Sequence, residues 1–349
     1  MVKLKTGILE IFEGRTCRLV IWLAPILSLL TFISSWSAIY PPELVERWFA
    51  RGLFPWFSAI AGRFADSISI SWLDMGVPAT VVLLALFGRK RKWLLIVNLA
   101  AAGYLVFFWS WGLNYHRKPL AGKLHLDASQ TEPSAMESFA MRTAGEVNRA
   151  YRESHGAPYD EERTRQEAFR RVQRVVEVID GSKWRSAGRI KISWIANPWF
   201  HAAGIDGFFN PLVHEPIVSD SVLDIERPFV ISHELAHVRG YPDEGDANLI
   251  ATFATVMSED PRFRYSGWLN LWLYLRTREL EGLLDPGPVR DIDRMAERAR
   301  REQIPWVNDF QRSLLDLFLK ANSVEQGVRS YSRVVLLAAG TESTWDLYR

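Results

Sequence analysis

Pro228-Phe229-Val230-Ile231-Ser232-His233-Glu234-Leu235-Ala236-His237-Val238-Arg239-Gly240 is the stretch on which the reading of this chain turns. Its centre is an HExxH pattern. Pro228 suits a first helical turn, because its φ is already helical and the N–H it lacks would have no partner there. Phe229, Val230, Leu235, Ala236 and Val238 supply an apolar backing, and Gly240 is a good stop just past the last turn. On the helix so bounded, His233 and His237 present their imidazoles to one side, where they can share one zinc ion. Glu234, beside the first histidine, is placed to take a proton from a water activated by that ion. The competing reading is a buried structural helix whose two histidines happen to align.

Zinc needs a third protein ligand and one open position. Asp243, Glu244 and Asp246 follow closely. Asp243 completes an HExxHxxGxxD spacing in which Gly240 lets the chain turn back to the metal. Glu244 begins Glu244-Gly245-Asp246-Ala247-Asn248, which opens the next helix. Spacing alone leaves the three open, and the acids not on the metal favour the N-terminus of that helix. The segment resembles the E-x-E-A-D/N element of membrane-anchored gluzincin peptidases of the CAAX-processing and heat-shock-induced types. That resemblance implies Glu244 as zinc ligand and Asn248 as the support of a histidine ligand. Asp246 ranks next and Asp243 last.

The chain has 349 residues, enough for a catalytic domain and a membrane part. A net charge of +2 gives no sign of bulk nucleic-acid binding. Cys17 is the single cysteine, which excludes an intrachain disulfide and a cysteine metal site. The first third reads as three membrane spans, about 19–40, 68–87 and 93–111, each apolar enough for about 30 Å of hydrocarbon. Asp74 lies near the start of the second, where water can reach it. The first is too long for a cleavable signal peptide and lacks a cleavage site. The basic connector Arg89-Lys90-Arg91-Lys92 and Lys3, Lys5, Arg15 and Arg18 belong on the cytoplasmic side. The mixed loop from Pro41 to about Ser67 then lies outside. So does everything after Trp111, although His116, Arg117 and Lys118 weigh slightly the other way. The expected division is a membrane anchor, 1–118, and an extracytoplasmic catalytic domain, 119–349, in the cell's inner membrane.

Residues 132–180 predict two helices broken at His155-Gly156-Ala157-Pro158. The charges from Arg163 to Arg174 read as a solvated face. Arg189 to Ile195 alternates like a strand. Gly204 to Val218 reads as an exposed edge or hairpin beside the cleft, where an extended peptide can add as a further strand. His214 and Glu215 are read as ordinary surface residues. Helices are expected at Ala247–Ser258, Trp268–Leu284, Asp291–Glu302 and Phe310–Leu319. Val324 to Ala339 carries too many charges for a span. Tyr265, in the connector before Trp268, is a candidate oxyanion or substrate-orienting donor.

The chain as a whole resembles an uncharacterised bacterial membrane family read as zinc metallopeptidases and catalogued as a domain of unknown function. The resemblance runs through Trp111-Gly112-Leu113-Asn114-Tyr115-His116-Arg117, His233 to Gly240, Glu244 to Asn248, Phe263 to Gly267 and Gly327 to Ser332. The family pattern there is E-D/N-E-A-N, so Asp246 stands as a shortened form of its second acid. The expected fold is α+β and mostly helical. It has three N-terminal transmembrane helices and a zincin-like domain with a small edge sheet. The expected activity is that of a zinc peptidase on a peptide or protein substrate at the lipid bilayer. His233, His237 and Glu244 would hold Zn2+, Glu234 would act as base and Tyr265 as donor. The rivals are a catalytically silent interaction or assembly module of the same fold, and a zinc amidase acting on cell-wall peptides. An intramembrane protease is excluded, because the interval between Arg227 and Arg239 is too short to cross a bilayer.

Overall fold

Residues 247–256, Ala-Asn-Leu-Ile-Ala-Thr-Phe-Ala-Thr-Val, have almost no polar face. A helix that is apolar all round has to be surrounded, and every residue from Gly245 to Val256 is buried. The computed structural model describes residues 15–37, 39–86, 92–156, 158–181, 188–275, 278–322 and 333–349. In chain order they form α1 (Arg15–Trp36), α2 (Phe54–Asp66), α3 (Trp72–Leu86), α4 (Lys92–Ser110), α5 (Pro133–Ser154), α6 (Glu161–Asp180) and α7 (Asn197–Ala203). The hairpin β1 (Gly207–Asn210) and β2 (Glu215–Val218) follows. Then come α8 (Arg227–Val238), the central α9 (Glu244–Val256), α10 (Pro261–Leu275), α11 (Pro286–Glu302), α12 (Pro305–Ala321) and α13 (Arg333–Thr341). The fold is mostly helical with one two-stranded sheet.

α6, α8, α10 and α13 pack around α9, and α5 lies along α10. Val172, Val175 and Val176 of α6 share one contiguous core with Ile231 and Leu235 of α8 and with Leu249, Ile250 and Phe253 of α9. Each such side chain contributes roughly 1.5–3 kcal/mol by leaving water. α5 and α6 match the expected helical pair. Arg163, Arg170 and Arg174 are exposed as read. Arg171 is not: it is buried and donates to the carbonyls of Met257 (2.8 Å) and Tyr348 (2.6 Å). α10 begins at Pro261, so Arg262 to Gly267 is its opening and no connector. Gly327 to Ser332 lies outside the described residues.

β1 and β2 pair antiparallel from Gly207↔Val218 to Asn210↔Glu215. The strand expected at 189–195 shrinks to one bridging residue, Lys191 beside Ile217. The cause lies in its own side chains. Lys191 Nζ donates to Ala65 O (2.7 Å) and pairs with Glu215 (2.8 Å). The Asp74 carboxylate then accepts from the Ser193 hydroxyl and from the Trp194 and Ile195 N–H groups, which turns the chain into α7. Asp74 is therefore met by protein. His214 and Glu215 are both buried, against expectation. Glu215 accepts from the Ser71 hydroxyl (2.9 Å) and the Trp72 N–H (3.0 Å), so it caps α3 from the hairpin.

The membrane part also differs. Among the described residues, one helix, Lys92–Ser110, is long and apolar enough to cross a bilayer, not three. The apolar stretches of the other two, Ile21–Trp36 and Trp72–Leu86, are shorter. The first helix ends at Trp36, before the expected Tyr40, and the second starts late because Glu215 captures its N-terminus at Trp72. α1 lies along α4, with Trp22 on Trp93 (ring centroids 6.0 Å) and Phe32 on Tyr104 (6.2 Å). The loop expected from Pro41 to Ser67 is helical. Pro42–Leu44 and a π-helical stretch, Val45–Leu53, lead into α2. It packs on the globular body, where Phe54 is fully buried. The connector residues 89–91 lie outside the described residues.

Candidate metal centre

α8 ends in a Schellman motif. The Tyr241 N–H reaches Ala236 O (3.2 Å) and the Gly240 N–H reaches His237 O (2.9 Å). Gly240 takes φ 79°, the left-handed region that glycine enters without strain. A Cβ there would also stand 2.5 Å from the Phe54 ring and 3.1 Å from Asn114. The reversal directs the chain back along α8. Asp243 then caps α9 by accepting the Asp246 N–H (2.9 Å), and Glu244 becomes the first residue of α9, facing the two histidines.

His233 Nε2 and His237 Nε2 are 3.0 Å apart. Glu244 Oε2 is 3.2 Å from the first and 3.8 Å from the second. Each imidazole is oriented by its other nitrogen. His233 Nδ1 donates to Asn248 Oδ1 (2.8 Å), and His237 Nδ1 donates to the Tyr241 carbonyl (2.7 Å). With both Nδ1 atoms protonated, both Nε2 lone pairs and a carboxylate oxygen converge on one point. Tetrahedral zinc with bonds of about 2.0–2.1 Å sets its ligand atoms about 3.3 Å apart, so the donor set and its spacing fit such an ion. Three acceptors this close repel one another unless a proton or a cation lies between them. Burial would lower the His237 pKa, but the Glu244 carboxylate outweighs it and raises it to about 9. Burial would likewise raise Glu244, and the two imidazoles instead hold it well below the usual carboxylate range.

Glu234 is buried on the same helix, and its Oε2 has no hydrogen-bond partner among the described residues. Burial pushes its pKa up to about 7, against the pull of both imidazoles. β1 runs directly over this carboxylate: any Cβ at Gly207 would overlap Glu234 Oε1. The strand thus approaches the glutamate with backbone alone. The Trp111 indole N–H donates to His237 O (3.0 Å), and its ring lies against Phe209 of β1 (5.3 Å).

The remaining acids are occupied. Asp246 accepts the Leu120 N–H (3.1 Å), and burial raises its pKa to about 7. Asp243 serves the α9 cap. Tyr265 is not gathered into the site, for its hydroxyl donates to Asp291 (2.7 Å). Two other tyrosines approach the cluster. Burial and the charges of Glu244 and Asp243 push Tyr115 well above its ordinary pKa. Burial, Glu244 and Asp206 push Tyr274 up to about 12. Tyr115 stands in the Trp111–Arg117 stretch already singled out in the sequence. Tyr274 carries no signal there, since a tyrosine late in an apolar helix reads as packing.

The model of a family of proteins of unknown function, DUF3810, matches residues 49–339. The chain belongs to that family. The match takes in α2, the His233, His237 and Glu244 cluster on α8 and α9, and most of α13, so in this DUF3810 member the cluster lies inside the family region. No curated protein and no solved structure matches the chain.

Proposed function

We propose that this chain is a membrane-anchored zinc-dependent hydrolase of the gluzincin type that cleaves peptide bonds. The observation that carries the reading is the convergence of His233, His237 and Glu244, whose ligand atoms all lie within 4.8 Å of one another. A zinc ion held there would supply Lewis-acid activation of water and of a carbonyl. Glu234, with one free oxygen beside that point, takes the proton of the attacking water and returns it to the leaving amine. Asn248 and the Tyr241 carbonyl keep the imidazoles in the ligating tautomer. β1, with its glycine over Glu234, offers an edge for an extended peptide. Tyr115 is the better candidate than Tyr265 for a donor to the developing oxyanion, given its nearness to Glu244.

The anchor is argued from exposed apolar surface. Leu23, Leu29 and Ile33 on α1, which lies along α4, and Val81, Val82 and Leu86 on α3 are exposed. A bilayer is the solvent that suits such faces, with all three helices set in it. The end of α1, the start of α3 and the end of α4 are each tied by a hydrogen bond to residues beyond α4. Ser35 meets His116, Trp72 meets Glu215 and Trp111 meets His237. With the basic connector cytoplasmic, the catalytic body is extracytoplasmic.

The test is metal content of the purified full chain by elemental mass spectrometry, with turnover of an unfolded protein substrate. Near-stoichiometric zinc in the wild type, lost in His233→Ala and Glu244→Ala, is expected. Glu234→Gln should keep the zinc and the fold and lose hydrolysis. A wild type that takes up no zinc when it is supplied would move the reading to a silent interaction module.

A further inference from the structure

α12 carries an apolar stripe that no protein element covers among the described residues. Trp306, Phe310, Leu314 and Leu317 lie on one face at helical spacing, and all are exposed, Trp306 by 70% and Leu317 by 66%. The stripe is separate from the face that holds α12 to the body, where Val307 and Leu319 are buried. A third face carries Asp309, Arg312, Asp316 and Lys320. A helix with an inner face, a charged face and an uncovered apolar face suits the boundary of a bilayer. Its placement agrees. Phe318 sits against the buried Phe107 of α4 (6.0 Å), so the end of α12 packs on the end of the proposed span nearest the body. At the other end Phe310 meets Trp199 of α7 (6.4 Å), and Trp194, Ile195 and Trp199 are themselves exposed.

The same helix is joined to the metal centre through α7 and β1. Its start is bonded to the end of α7, through Ile304 N–H on Ala202 O (2.9 Å) and Asn308 Nδ2 on Ala203 O (2.7 Å). Phe200 of α7 packs on Phe208 of β1 (6.2 Å), the strand over Glu234. The far end of α12 touches Tyr115 through Phe318 (6.2 Å), on the Glu244 side. We propose that α12 lies in the headgroup layer with the Trp306–Leu317 stripe in lipid, so that it forms the membrane-side rim of the metal cleft. The lipid bilayer is its partner, and this rests on the anchoring proposed above.

The test uses the full chain in nanodiscs of phosphatidylcholine and phosphatidylglycerol. Cys17→Ser removes the one native thiol. Single nitroxides are then attached at Leu314→Cys, Leu317→Cys and, on the charged face, Arg312→Cys. Each site is probed with oxygen, which partitions into lipid, and with a nickel chelate, which stays in water. Oxygen should dominate at 314 and 317 and nickel at 312, a reversal of the accessibility ratio around one helix. Nickel dominance at all three sites would overturn the proposal. Exclusion of both reagents at 314 and 317 would overturn it as well, since a second copy or another protein would then cover the stripe. No turnover is needed, and a nitroxide at Leu99→Cys on α4 reports on the anchoring separately: oxygen dominance there with nickel dominance on α12 overturns this proposal alone, and nickel dominance there overturns the anchoring.

Discussion

At the scale of single residues, the proposed zinc centre depends on groups outside its three ligands. Asn248 Oδ1 fixes the His233 ring, and removing such a support costs metal affinity about 10–100-fold in comparable sites. Asn248→Ala is expected to show a loss of that size in competition against a zinc chelator, and an unchanged affinity would remove Asn248 from the site. Among the three acids, Glu244→Ala should reduce zinc occupancy far more than Asp243→Ala or Asp246→Ala. Those two carboxylates are spent on the α9 cap and the Leu120 N–H. Equal losses would mean that the third ligand is misassigned. His233, Glu234 and His237 are legible in the sequence because a four-residue spacing on a helix has one geometric meaning. Tyr115 and Tyr274 are not, because they come from distant segments that only the fold brings to Glu244.

At the scale of elements, the turn between α8 and α9 positions the third ligand. Gly240→Ala has to hold φ 79° and place a methyl group 2.5 Å from Phe54. It should cost at least about 1 kcal/mol of stability, with weakened zinc binding because Glu244 follows directly. A melting temperature and zinc affinity equal to wild type would show that the turn is not constrained as described. Helices with strong periodicity, such as α5, α6 and α11, are readable within a few residues, since one apolar face suffices to place them. The failures share a cause. Lys191, Glu215, Asp74 and Arg171 are charged residues whose partners lie far away in sequence, so local pattern puts them in water while the fold puts them inside. The same effect shortens the expected second span, whose start is claimed by Glu215.

At the scale of the whole molecule, one buried charge network joins the segment after α4 to the end of α8. Arg117 bonds Glu46 and Asp180 (2.9 and 2.8 Å) and the Gly240 carbonyl (2.8 Å), and stacks on Tyr241 (4.3 Å). Lys123 completes it by bonding both carboxylates. Breaking such a network from one side costs about 3–5 kcal/mol, and Arg117→Gln should lower thermal stability accordingly. Burial alone would raise Glu46 and Asp180, but Arg117 and Lys123 outweigh it and hold both below their ordinary values. Their stabilising effect is therefore complete above the unfolded carboxylate values, near about pH 4, and fades as pH falls through the lower folded values. The gap in melting temperature between wild type and Arg117→Gln should therefore hold from neutrality to about pH 5 and shrink below about pH 4. No acid-induced narrowing would show the network to be energetically silent.

Trp111 is the residue immediately after α4, and its indole N–H holds the carbonyl of His237. The proposed span and the proposed ligand His237 are thus mechanically in series, one peptide link and one hydrogen bond apart. A helix of fixed apolar length answers a thicker or thinner bilayer by changing its tilt. On the proposed reading, such a tilt of α4 would load α8 directly. The anchor would then be a lever as well as a tether, with bilayer thickness acting as a force on the cluster of His233, His237 and Glu244.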